Sequence, residues 1–190
     1  MKNLSVKLSS FIFIILIAFA ACNETTDRRE GDAAAQGDNM IGDADKRSVN
    51  AEGKFITDAI EDNAEEIALL RMGVNNGTDP ELKSHAQTML NDHEKLHYTL
   101  LNYARTNNVD LSDIDTAGNV NINENRGVEW DEEWADEVSD LHDRMIRRFE
   151  RAEERIQDAT LKNELSTSLP LMKKHLQVTD SLEKRLERNQ

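Results

Sequence analysis

Cysteine is nearly absent from this 190-residue chain: Cys22 is the only one, so no intrachain disulfide framework can form. There are only two prolines and eight glycines, and aromatic residues make up 5%. With no strand-like alternation either, the turn-rich pattern of a sandwich or barrel is missing. Basic residues are also short, 23 against 37 acidic ones, for a formal charge of −14. A surface of that sign repels nucleic acid and anionic lipid and attracts cations. Nucleic-acid partners are excluded, because they require a basic footprint. No apolar run approaches the roughly 20 residues needed to cross a bilayer. There is no phosphate-cradling glycine loop, zinc-type cysteine cluster or activated serine or cysteine pair.

The N-terminus reads in three parts. Lys2 and Lys7 form a short basic region, an apolar run extends from Phe11 to Ala21, and the small pair Ala20-Ala21 precedes Cys22. That is the layout of a secretory signal peptide. Phe19-Ala20-Ala21-Cys22 resembles the bacterial lipobox, with Phe19 in the place usually held by leucine. The resemblance implies cleavage before Cys22 and lipid on its sulfur and amino group. Acyl chains contribute about 0.8 kcal/mol per buried CH₂, so several make a durable membrane anchor. Cleavage removes Lys2 and Lys7, leaving 21 basic and 37 acidic residues and a formal charge of −16. The segment 22–47 is rich in Asp, Glu, Gly, Asn and Ala without apolar periodicity, and reads as a flexible acidic tether. Asn23, where an inner-membrane retention signal would have aspartate, favours the outer membrane within the cell envelope.

Residues 48–190 read as four amphipathic helices. The first, from about Ser48 to Val74, carries Ile56, Ile60, Ile67, Leu70 and Val74 and stops at Asn75-Asn76-Gly77. The second opens on Asp79 as cap and Pro80 in the first turn. It carries Leu82, Ala86, Met89, Leu96, Leu100 and Ala104, and ends near Asn107-Asn108. The third carries Trp130, Trp134, Val138, Leu141, Met145, Phe149, Ala152 and Ile156. The fourth runs from Leu161 to Leu186 and should kink at Pro170, which lacks a backbone donor. Short links join helices one to two and three to four. The link from about Asn108 to Glu129 is long enough to run back along a whole helix of about 40 Å. The pattern predicts an all-α, ferritin-like four-helix bundle: two antiparallel hairpins joined by a long crossover.

Four polar residues lie on or beside the apolar stripes, one per helix: Glu66, His93, His142 and His175. Counted from the turns, all four fall near mid-bundle, and convergence at one level is what a metal site between facing helices requires. Imidazole with carboxylate suits iron, manganese or zinc. Met89, Met145 and Met172 share faces with the three histidines, and thioethers would favour copper. They and His97, one turn beyond His93, are auxiliary candidates, and Glu65 could substitute for Glu66. Asp92 and Glu150 read as surface or supporting groups, His85 as a weaker candidate, and Glu129 to Glu137 as a solvated helix start favoured by the dipole.

Met89-Leu90-Asn91-Asp92-His93, Trp130-Asp131 with Trp134 and His142, and Leu169-Pro170-Leu171-Met172-Lys173-Lys174-His175-Leu176 occur in order. They resemble the bacterial family catalogued as domain of unknown function 4142, over about Lys54 to Leu186. The resemblance implies an exported or envelope protein with a ferritin-like fold, an acid at Glu66 and histidines at 93, 142 and 175. The family's usual Phe and Tyr are replaced here by Trp130 and Trp134. The paired Glu-x-x-His motif of di-iron ferritins is missing, so storage, buffering or stress protection by a bound metal is expected ahead of catalysis. A di-metal oxidase ranks below, since too few carboxylates line the core. The rival expectation is a structural or protein-interaction bundle whose histidines are merely packed.

Overall fold

The computed structural model describes residues 35–120, 122 and 126–188, with side chains from residue 51 onward. The signal segment and Cys22 lie outside the described residues. Four helices follow in order: α1 (Ala35–Asn76), α2 (Pro80–Thr106), α3 (Val128–Glu153) and α4 (Ala159–Glu187). Helix α1 begins at Ala35, well before Ser48, so residues 35–47 of the stretch read as tether are helical. They contain no proline, and extending a formed helix avoids the nucleation cost that disfavours short isolated ones.

The helix ends follow local chemistry. Asp79 Oδ1 accepts from the Glu81 and Leu82 N–H groups, each at 2.9 Å, with Pro80 opening α2. Asp158 Oδ1 does the same for Leu161 at the start of α4, at 2.8 Å. At the end of α2, Asn108 takes φ +54° and the Val109 N–H reaches back to the Ala104 carbonyl at 2.9 Å, a left-handed termination that asparagine tolerates. Pro170 lies inside α4, which continues through it.

Contacts across the bundle fix the topology. The Arg185 guanidinium of α4 grips Asp79 at 2.8 Å, so α4 ends beside the α1–α2 turn. Asp131, in the first turn of α3, accepts from Thr78 and Asp79, so α3 begins at that same end. At the opposite end, Glu52 of α1 accepts the Gln157 N–H of the α3–α4 link at 2.9 Å. Helices α1 and α4 therefore run one way and α2 and α3 the other. The chain between α2 and α3 must return the length of the bundle, and it does so along α1. The Asp115 N–H points at Glu61, Gly118 presses on the Ala64 carbonyl, and Arg126 donates to Asn76. Gly118 has φ +71°, a conformation that disfavours side chains. Hairpin, long crossover, hairpin is the ferritin-like arrangement.

The crossover explains why α1 is buried on more than one face. Ile56, Ile60, Leu69 and Leu70 are fully buried, and Ala64 and Ile67 nearly so. Val109, Leu111, Ile114 and Val120 of the crossover pack against the same core. Where α3 enters, Trp134 lies over Gly73, and its indole N–H donates to the Leu69 carbonyl at 2.8 Å. A β-carbon at position 73 would sit 2.5 Å from the indole ring.

The acid-rich start of α3 is not a uniformly solvated surface. Trp130, Asp131, Trp134 and Ala135 are buried there. Asp131 is fully buried and accepts from the Thr78 N–H at 2.9 Å, the Thr78 hydroxyl at 2.6 Å and the Asp79 N–H at 2.8 Å. The turn between α1 and α2 is thus held by a carboxylate from a different helix.

Candidate metal centre

Three histidines meet in the middle of this bundle, as their positions along α2, α3 and α4 predict. His93, His142 and His175 are buried, and one ring nitrogen of each lies within 4.8 Å of the others. Ring centroids are separated by 5.1 Å for His93–His142 and by 5.6 Å for each pair with His175. Each ring sits on the apolar stripe of its helix, so the packing that buries Met89, Val138 and Met172 also turns the imidazoles inward.

Hydrogen bonds behind each ring determine which nitrogen is left for the centre. His93 Nδ1 donates to Asn63 Oδ1 at 2.8 Å, while the Asn63 amide donates to the His93 carbonyl at 2.9 Å. The reciprocal pair fixes the asparagine's orientation, and with it the tautomer. His93 Nε2 is left facing His142 Nε2 at 3.3 Å. His142 Nδ1 lies 3.2 Å from the Val138 carbonyl and 3.3 Å from Glu66 Oε1. His175 Nε2 is held by Asp92 Oδ2 at 3.1 Å, which leaves Nδ1 buried and without a protein partner.

Glu66 stands differently from the expectation that made it a ligand. It is fully buried on α1, but its carboxylate lies against Nδ1, the far side of His142 from His93. Neither of its oxygens has a hydrogen bond of good geometry, because the Val138 carbonyl competes for the same Nδ1 proton. A buried carboxylate in that position requires positive charge nearby. Glu66 orients and polarises His142 from behind.

The electrostatics follow from these placements. Burial opposes charge on His142, but the Glu66 carboxylate and the Val138 carbonyl outweigh it, and the pKa is raised. Burial, together with the neighbouring His142 and His175, pushes His93 well below the usual imidazole range. His175 is lowered to about 4 by burial and by His142, against the pull of Asp92. Without a bound ion, Glu66 favours a proton on His142, whereas burial holds His93 and His175 toward the neutral form that offers lone pairs. Neutral imidazole is the metal-binding form.

The remaining candidates separate cleanly. Asp92, read as a surface or supporting group, stands behind His175 and not behind its neighbour His93. His97 turns away, lining a depression with Ala64, Ile67, Arg71, Glu94 and Thr116. Glu65 pairs with Arg144 at 2.9 Å and Glu150 with Lys173 at 2.6 Å, both outside the cluster. Met89 and Met145 are fully buried core residues, whereas Met172 borders a cleft with His93 and His175. One participant was missed, and His85, the weaker candidate, lies closer to the cluster than its rank suggested. Asn63 is polar in a polar stretch, and only its spacing of three before Glu66 hinted at an inward position. His85 lies 6.3 Å from His175, ring to ring, and its Nε2 meets the Thr179 hydroxyl at 3.0 Å.

Fold and site together define a ferritin-like helical bundle whose core gathers three buried histidines able to hold a metal ion. The chain belongs to the family described as Domain of unknown function (DUF4142), whose model matches residues 40–182. No match was found among the curated proteins or among the solved structures.

Proposed function

We propose that the protein is an envelope lipoprotein, anchored through Cys22, whose bundle binds one transition-metal ion through His93, His142 and His175. The observation that carries the reading is the 3.3 Å separation of His93 Nε2 and His142 Nε2. Two nitrogens bound to one ion at about 2.0–2.1 Å in a tetrahedral arrangement lie about 3.3–3.4 Å apart. The third nitrogen is His175 Nδ1, the one that Asp92 leaves free. Each ligand then has a fixed acceptor behind it: Asn63 for His93, Glu66 and the Val138 carbonyl for His142, Asp92 for His175. Such supports set ring orientation and raise ligand basicity in metal sites.

Three imidazoles suit zinc, copper or iron, and a set without a directly bound carboxylate favours manganese least. The service is metal storage, buffering or stress protection, at the outer membrane and on the strongly acidic surface that draws cations toward the protein. Glu66 acts here as the charge behind His142.

A metal-free polar core is the second reading, and the same 3.3 Å contact supports it. His142, with its raised pKa, can hold a proton on Nε2 and donate it to His93, so a proton occupies the place of the ion. Elemental analysis of the purified mature protein decides between them. Wild type is expected to carry about one metal ion per chain. The His93→Ala/His142→Ala variant, confirmed helical by circular dichroism, is expected to carry none. Equal metal content in the two would support the packed-histidine reading.

A further inference from the structure

The three histidines are not equally enclosed. His142 is fully buried, whereas His93 and His175 keep 2% and 4% of their surface accessible. Both border a small cleft between α2 and α4, about 120 Å³ in volume, walled by Leu96, Thr99, Ser168 and Met172. Asp92 stands at this cleft as well, with about a third of its side chain in contact with solvent. This cleft between α2 and α4 brings solvent up to the side of the centre made by His93 and His175. On the opposite side, Glu66, Asn63 and the Val138 carbonyl close the centre off.

Only three ligand nitrogens converge among the described residues. Tetrahedral sites with four protein ligands are structural and closed, whereas sites with three leave a position for an exogenous group. The carboxylates nearest the cluster, Glu66 and Asp92, are each engaged by the outer nitrogen of a histidine. Taking the metal reading as its basis, we propose that the bound ion keeps one exchangeable coordination position that faces the α2–α4 cleft. Small donors of the class of water, hydroxide, azide or cyanide enter there and bind the ion. Larger ligands are shut out by the narrowness of the cleft, and Met172 forms part of its wall without completing the coordination.

The test uses Co(II), whose visible spectrum reports coordination geometry, loaded into the mature protein and titrated with azide. Two substitutions narrow the cleft from opposite walls: Ser168→Leu on α4 and Thr99→Phe on α2. The expected result is a saturable spectral change in wild type. Both variants should retain one Co(II) per chain while their azide affinity or on-rate falls at least tenfold. If the wild type takes up no Co(II), the metal reading and this inference fall together. If Co(II) binds and azide leaves its spectrum unchanged, the position is closed and this inference alone is overturned. Equal azide binding in wild type and in both variants, each confirmed folded by circular dichroism, would place the entrance elsewhere and overturn the route.

Discussion

A neutral imidazole in a protein core is kept neutral by what surrounds it, and His175 is the most measurable case here. Its pKa is lowered to about 4, first by burial and then by the proximity of His142. In the unfolded chain the same ring titrates near 6.5. Between those values the unfolded state binds a proton that the folded state refuses, so stability is lost as pH falls from about 6.5 toward about 4. His93 shifts in the same direction and adds to the loss. His142 opposes it, since a raised pKa confers stability that is present at low pH and lost as pH rises through the folded value. Urea unfolding of chelator-treated protein at pH 7 and pH 5 should therefore show a drop in wild type that His175→Gln reduces, and parallel drops in the two proteins would refute a neutral His175. The histidines were legible in the sequence because each holds a fixed offset from apolar neighbours: His93 from Met89 and Leu96, His142 from Val138 and Met145, His175 from Met172. Their outer partners were not, because a pattern of apolar residues carries no information about which nitrogen of a ring is already occupied. Glu66 was seen to face inward, but its position behind His142 depends on how α1 and α3 rotate against one another.

At the scale of whole helices, position 73 shows how two elements are fitted together. A glycine inside a helix is destabilising by roughly 0.5–1 kcal/mol relative to alanine. Gly73 offsets that by letting the indole of Trp134 of α3 come close to α1, with its N–H on the Leu69 carbonyl. Gly73→Ala is expected to destabilise by about 1–3 kcal/mol, because the indole ring must move out of a packed core. Gly53 is the control: it lies in the same helix, and a β-carbon there meets nothing within 4 Å. Gly53→Ala should stabilise by roughly 0.5–1 kcal/mol. Opposite signs in the two denaturation midpoints would support the packing argument, and a shared sign would reduce both glycines to helix propensity alone. The four helices could be read from three- and four-residue spacing and from caps such as Asp79-Pro80. The burial of Asp131 could not, because an acid in the first turn of a helix has a sufficient local explanation in the helix dipole. Its true partners, Thr78 and Asp79, are more than fifty residues away. The early start of α1 at Ala35 escaped for the opposite reason: a formed helix can be continued by residues whose sequence has no apolar periodicity.

The whole molecule combines a long crossover with a one-signed surface, and these bear on where it works. The crossover lets α2 and α3 run parallel, bringing His93 and His142 to the same height from the same end. Cross-helix ion pairs then tie the surface together: Arg148 bridges to Asp58 and Asp62, Arg144 to Glu65, and Arg71 to Glu94. Exposed pairs of this kind contribute little individually, about 0–1 kcal/mol each. With acids in excess, the bundle has more negative charge than such pairs can neutralise, and an anionic membrane repels it. Attachment to a membrane therefore cannot come from the charge of the folded part. Among the described residues no helix is long and apolar enough to cross a bilayer. Under the proposed reading the covalent lipid at Cys22 supplies the attachment, and several buried acyl chains make it effectively permanent. Intact-mass measurement of protein purified from membranes should find a chain that begins at Cys22 and carries diacylglyceryl and acyl mass. The same protein should partition into detergent, and Cys22→Ser should abolish the added mass while leaving the metal content of the bundle unchanged. An unmodified chain that still includes residues 1–21 would overturn the anchor.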